Sequence, residues 1–150
     1  PMTKMTLNLD FRCKHCGQWV STNPLLSGVQ NRNHCPYCLW SRHLDWKRPG
    51  DRLAACKAEM RPLGLTVKKA VKKYPLPSHG ELMLIHQCVD CGKLSINRIA
   101  ADDDAPALDQ VYHASRKMAP FLRRQLAELG IQALRAADQK LVNTRLFGDN

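Results

Sequence analysis

With 150 residues, 44% of them hydrophobic and only 6% aromatic, the chain can bury one small core plus an appendage, and that core needs cross-links. No apolar run approaches the roughly 20 residues that a membrane span requires, which leaves a soluble protein. The formal charge of +10 makes a polyanion the expected partner.

Thr6 to Phe11 alternates apolar and polar residues and runs into Cys13-Lys14-His15-Cys16-Gly17, with Gln18-Trp19-Val20 beyond it. In this C-x-x-C-G form the two sulfurs converge on one point, and the glycine permits the left-handed turn between them. The pattern predicts strand, knuckle, strand. Ser21-Thr22-Asn23-Pro24 is a polar turn, and the densest stretch follows, with Cys35, Cys38 and His43 and then Cys56 further on. Pro49-Gly50-Asp51 predicts a turn and a helix from Arg52 to Met60, capped by Asp51 and stopped by Pro62. A second short helix is predicted from Thr66 to Tyr74, with Lys68, Lys69, Lys72 and Lys73 forming one cationic stripe.

Leu82 to Gln87 then runs into a second matching knuckle, Cys88-Val89-Asp90-Cys91-Gly92, followed by Lys93-Leu94-Ser95-Ile96. Asp104 is placed to cap a helix with Pro106 in its first turn, and Ala107 to Phe147 reads as helical with breaks at Pro120 and Gly130. Leu122, Leu126, Leu129, Leu134 and Leu141 form its apolar stripe, with Arg116, Lys117, Arg123, Arg124, Arg135 and Lys140 off it. The expected fold is a small α+β domain. Zinc-ribbon-like hairpins over residues 1–104, stapled by two structural zinc sites and carrying a basic insert at 42–79, precede a helical extension over 105–150.

Seven cysteines are an odd number, no apolar signal segment opens the sequence, and the C-x-x-C spacing suits metal better than disulfides. A reducing cytoplasm is the expected setting. Seven cysteines and one histidine fill two tetrahedral sites with two Zn2+ ions. Because the first and last knuckles match, the preferred grouping sets Cys13, Cys16, Cys88 and Cys91 on one ion and Cys35, Cys38, His43 and Cys56 on the other. The rival follows chain order, with Cys13, Cys16, Cys35 and Cys38 on one ion and Cys56, Cys88, Cys91 and a histidine on the other; a single-zinc arrangement is the third choice. His43 suits the preferred grouping and His86 the rival, while His34 directly precedes Cys35 and His15 is expected to be exposed.

At Arg32-Asn33-His34-Cys35-Pro36 the chain resembles the RNHCP-domain proteins, a bacterial family of zinc-ribbon-like domains named for that pentapeptide. The match continues through Cys38-Leu39, His43, Asp45, Gly50-Asp51-Arg52, Cys56, Ile85-His86, Cys88, Cys91, Asn97-Arg98-Ile99-Ala100 and Asp102-Asp103, and covers about residues 11 to 104. The resemblance implies that Arg32, Asn33, His34, Arg98, Asp102 and Asp103 belong to the family pattern. It supplies no reaction.

Three functions follow as expectations. Residues 42 to 73 hold ten Lys and Arg against three acids, which favours RNA, ribosomal RNA above all, as the partner. The contacting cations would be Arg32, Arg42, Lys47, Arg48, Lys68, Lys69, Lys72, Lys73 and Arg98. Trp19, Trp40, Trp46 and Tyr37 are available to stack on bases, although Trp19 and Tyr37 are expected to fill the core. A nuclease using Asp102, Asp103 and His34 on a catalytic metal beside Arg32 and Arg98 is the second reading. Fully ligated zinc leaves no open position for water, which argues against it. The third is a protein adaptor working through the C-terminal helices.

Overall fold

The computed structural model describes residues 10–29, 32–44, 56–68 and 80–148. Two short strands, β1 (Phe11–Arg12) and β2 (Trp19–Val20), pair antiparallel around the first knuckle. A single-turn helix α1 (Pro24–Ser27) follows, with the Asn23 side chain accepting from the Leu25 amide. The main sheet is antiparallel in the order β3 (Ser41–Arg42), β4 (Glu59–Lys68), β5 (Glu81–Cys88), β6 (Leu94–Arg98). β5 is central and buried from Leu82 to His86, so it reads as a continuous apolar run and not as an alternation.

β4 replaces helix where the sequence pattern predicted it. Of the expected helix from Arg52 to Met60, Glu59 and Met60 are strand and Arg52 to Ala55 lie outside the described residues. Of the expected helix from Thr66 to Tyr74, Thr66 to Lys68 are strand and the rest lies outside. The physical reason is the pairing partner: Met60 to Lys68 align along Cys88 to Glu81, and burial against β5 outweighs a weak local helical preference. Pro62 sits in the strand beside a register shift between Pro62 and Gly64, where a missing amide is tolerated. Lys47, Arg48, Lys69, Lys72, Lys73 and Trp46 lie outside the described residues, as does the predicted strand before residue 10.

The C-terminal helices follow the predicted breaks. α2 (Ala105–Arg116) is capped by Asp104, whose carboxylate accepts from the Ala107 amide, with Pro in its first turn. α3 (Pro120–Glu128) starts at Pro120 and ends before Gly130, and a 3-10 turn (Ala136–Asp138) leads into α4 (Gln139–Phe147). These helices build the core together with the sheet. Leu65, Leu82 and Leu84 of the sheet pack in one cluster with Leu108, Tyr112, Leu134 and Val142 of the extension, and Ile85 packs in another with Leu126 and Ala133.

The extension also closes the edge of β4 beyond β3. Ser115 Oγ accepts from the Leu65 amide at 3.2 Å, the Leu134 amide donates to the Leu65 carbonyl at 2.9 Å, and Thr66 pairs with Ala133. An open strand edge is thereby satisfied. Among the described residues no helix is long and apolar enough to cross a membrane.

Candidate metal centres

Three knuckles share one backbone design. In the first, the Cys13 amide donates to Gln18 O at 2.8 Å and the Gly17 amide to Cys13 O at 2.9 Å; in the last, Cys88 to Lys93 O at 2.9 Å and Gly92 to Cys88 O at 3.0 Å. Gly17 and Gly92 adopt φ of 83° and 81°. The middle knuckle repeats the pattern, with Cys35 donating to Trp40 O and Leu39 to Cys35 O, both at 2.9 Å, but its left-handed position is held by Leu39 at φ 66°. A non-glycine residue there costs about 1–2 kcal/mol, and Leu39 offsets it by burying its side chain completely in the main core.

The middle knuckle faces the first. Cys13, Cys16, Cys35 and Cys38 form one cluster and His43, Cys56, Cys88 and Cys91 the other, with the ligand atoms of each within 4.8 Å of one another. The eight candidate residues fall into these two groups in chain order, so the preferred pairing of the first and last knuckles is overturned. β3 and β4 explain the second set: the His43 amide donates to Ala58 O at 2.8 Å, bringing His43 and Cys56 together at the end of that pair, beside the knuckle that leaves β5.

The spacing suits a tetrahedral ion. Cys13 and Cys38, Cys16 and Cys35, and Cys56 and Cys88 have Sγ atoms 3.6 Å apart, and Cys56 and Cys91 3.9 Å. A disulfide would need about 2.05 Å, whereas metal–sulfur bonds of about 2.3 Å give a tetrahedral edge of about 3.8 Å. His43 presents Nδ1, which lies 2.7 Å from Cys56 Sγ and 3.5 Å from Cys91 Sγ. Backbone amides of His15 and Cys16 point at Cys13 Sγ, of Tyr37 at Cys35 Sγ and of Cys91 at Cys88 Sγ, at 3.3–3.5 Å. The Cys38 thiol and nearby amides pull Cys35 down to about 5 against burial. At Cys88 burial would raise the pKa, but the Cys91 and Asp90 amides, His43 and Cys56 hold it at about 6.

Among the described residues, His86 and His34 are buried in hydrogen bonds of their own, and His15 is exposed as expected. His86 is fully buried, donating through Nε2 to Leu39 O at 2.7 Å and accepting at Nδ1 from Asn97 at 2.8 Å, so it is not the ligand the chain-order grouping suggested. His34 donates to Asp103 at 2.7 Å. His15 stacks flat on Trp40, with ring centroids 3.9 Å apart, and pairs with Glu59.

The pentapeptide and the Asp pair meet in one buried clasp. Arg32, 1% exposed, donates through Nε to His34 O at 2.8 Å and its guanidinium pairs with Asp102 at 2.8 Å and Asp103 at 3.0 Å. Asp103 also accepts from His34 and from the Ala100 amide at 2.8 Å. Arg32 is therefore no surface contact for RNA, because its charge is needed to neutralise Asp103. In the constellation read as a nuclease site, both Asp103 oxygens already accept hydrogen bonds, from Arg32 and from His34 and the Ala100 amide.

Arg98 remains exposed and pairs with Glu81 at 2.8 Å, Arg42 lies over the Phe11 ring at 3.5 Å, and Lys68 is exposed at the end of β4. Trp19 and Tyr37 were expected in the core, yet they are 63% and 58% exposed, because each sits on a hairpin or knuckle too short to be covered.

Strand–knuckle–strand hairpins closing two four-ligand sets define a structural metal-binding module of the zinc-ribbon kind. The chain belongs to the RNHCP domain family, whose profile matches residues 8–108. No curated protein and no solved structure matches it.

Proposed function

We propose that the protein is a structural zinc module that binds RNA through its basic surface, with ribosomal RNA the partner to test before others. The observation that carries the reading is the pair of closed ligand sets, one of four cysteines and one of three cysteines with a histidine. Four protein ligands leave no position for substrate water, and soft thiolates with imidazole select Zn2+ over hard cations. Zinc binding expels the seven thiol protons and adds two divalent ions, so the net charge falls from +10 to +7 and stays strongly positive.

Exposed aromatic and cationic groups support the RNA half. Arg12 lies 5.4 Å from the exposed Trp19 ring, and Tyr37 projects from the middle knuckle. Flat rings beside cations suit splayed bases and their phosphates. The test combines metal analysis of the reduced protein with RNA binding across a salt series. Two Zn2+ per chain and an affinity that falls steeply with salt are expected. A metal-free folded chain would overturn the zinc assignment, and absent or salt-insensitive RNA binding would overturn the second half.

A further inference from the structure

Away from the metal centres, the helical extension carries an open groove of about 500 Å³ lined by Arg116, Met118, Pro120, Arg123, Arg124 and Arg135. Four guanidiniums from the end of α2, the start of α3 and the segment before the 3-10 turn converge there, and among the described residues no carboxylate lines it.

Arg123 is built into the wall: it donates to Ser115 O at 2.6 Å, Ala133 O at 3.0 Å and Leu134 O at 3.4 Å. Burial and the neighbouring Arg135 both push its pKa down, as expected where like charges crowd, and the Asp138 carboxylate close by is taken up by the Arg135 backbone amide at 2.8 Å. Arg116 reaches His113 and Gln139 at 3.2 and 3.3 Å, neither of them an acid. Arg124 and Arg135 are exposed, and among the described residues neither guanidinium meets a carboxylate. α3 begins at this groove with no side chain capping its N-terminus, which adds partial positive charge.

We propose that this groove binds phosphate groups of an RNA backbone, so that the extension and the metal module grip one RNA at separate points. The inference rests on the reading of the protein as an RNA binder. Guanidinium forks match phosphate oxygens in pairs, and several of them in one groove suit a ligand that repeats its charge. Phe121, next to Pro120 and 62% exposed, offers a ring for an adjacent base, which favours nucleic acid over an acidic peptide.

The test uses the full zinc-loaded chain and a short labelled single-stranded RNA, with affinity measured over a salt series. Each lost contact lowers the slope of log K against log salt by about 0.7. Arg124→Gln and Arg135→Gln should therefore each take away about that much and the double variant about 1.4, with metal content and melting temperature unchanged. The corresponding lysine variants should keep the slope. If RNA still binds and the glutamine variants keep the full slope, the groove assignment falls while the RNA reading stands. If the unaltered chain binds no RNA, both fall. Binding of polyglutamate that depends on Arg124 and Arg135, with RNA binding indifferent to them, would also overturn the proposal and assign the groove to an acidic protein.

Discussion

Arg32 uses its hydrogen-bonding edge entirely inside the protein, tying the segment before Cys35 to the turn that enters α2. The Asp103 side chain it neutralises is fully buried, and removing one member of such a pair leaves an uncompensated charge worth about 3–5 kcal/mol. Arg32→Ala should lose that much stability in urea unfolding of the metal-loaded protein, and Arg32→Lys should recover little, since an ammonium cannot serve two carboxylates and a carbonyl from one plane. His86 makes a second residue-scale prediction. Burial, with His34 nearby, depresses its pKa from 6.5 to about 3, against a smaller opposing effect of the Leu39 carbonyl. The folded form thus binds fewer protons than the unfolded chain between those values, so this contribution to stability is complete above pH 6.5 and is lost as pH falls toward 3. Nitrogen chemical shifts should report a neutral ring, protonated at Nε2, at about pH 5.

The docking of α2 on β4 depends on Gly64. A Cβ there would lie 2.5 Å from Ser115 Oγ and 2.9 Å from Ser115 Cβ, and Ser115 is the residue that satisfies the edge of β4. Gly64→Ala should cost about 1–3 kcal/mol, read as a lowered urea midpoint with the metal content intact. Elements of this kind were unevenly legible in the sequence. Gly17 and Gly92 advertise their knuckles, Asp104 and Pro106 announce α2, and Pro120 and Gly130 divide the helices. Leu39 hides the middle knuckle, because a leucine at positive φ gives no sequence signal, and the mistaken ligand grouping followed from that. The β4 residues mislead for a related reason: Pro62 looks like a breaker until the register shift beside it is seen. Counting cations cannot reveal that Arg32 faces inward, since burial is decided by a partner seventy residues away.

At the scale of the molecule, the extension completes the core. Leu108, Tyr112, Leu126, Leu134 and Val142 are all buried against the sheet or beside it. Deleting residues 105–150 should therefore give an aggregating chain whose four-stranded sheet is uncovered on both faces and along one edge, seen as material in the void volume in size-exclusion chromatography; a soluble, metal-loaded remnant would contradict this. The two centres are also unequal in reach. All ligands of the first lie between residues 13 and 38, whereas the second draws on residues from 43 to 91 and needs β3, β4 and β5 in register. Closing the shorter loop costs less chain entropy. During synthesis the first ion can be captured by the emerging N-terminal portion alone, and assembly then proceeds from an anchored corner while the second waits for the central strand.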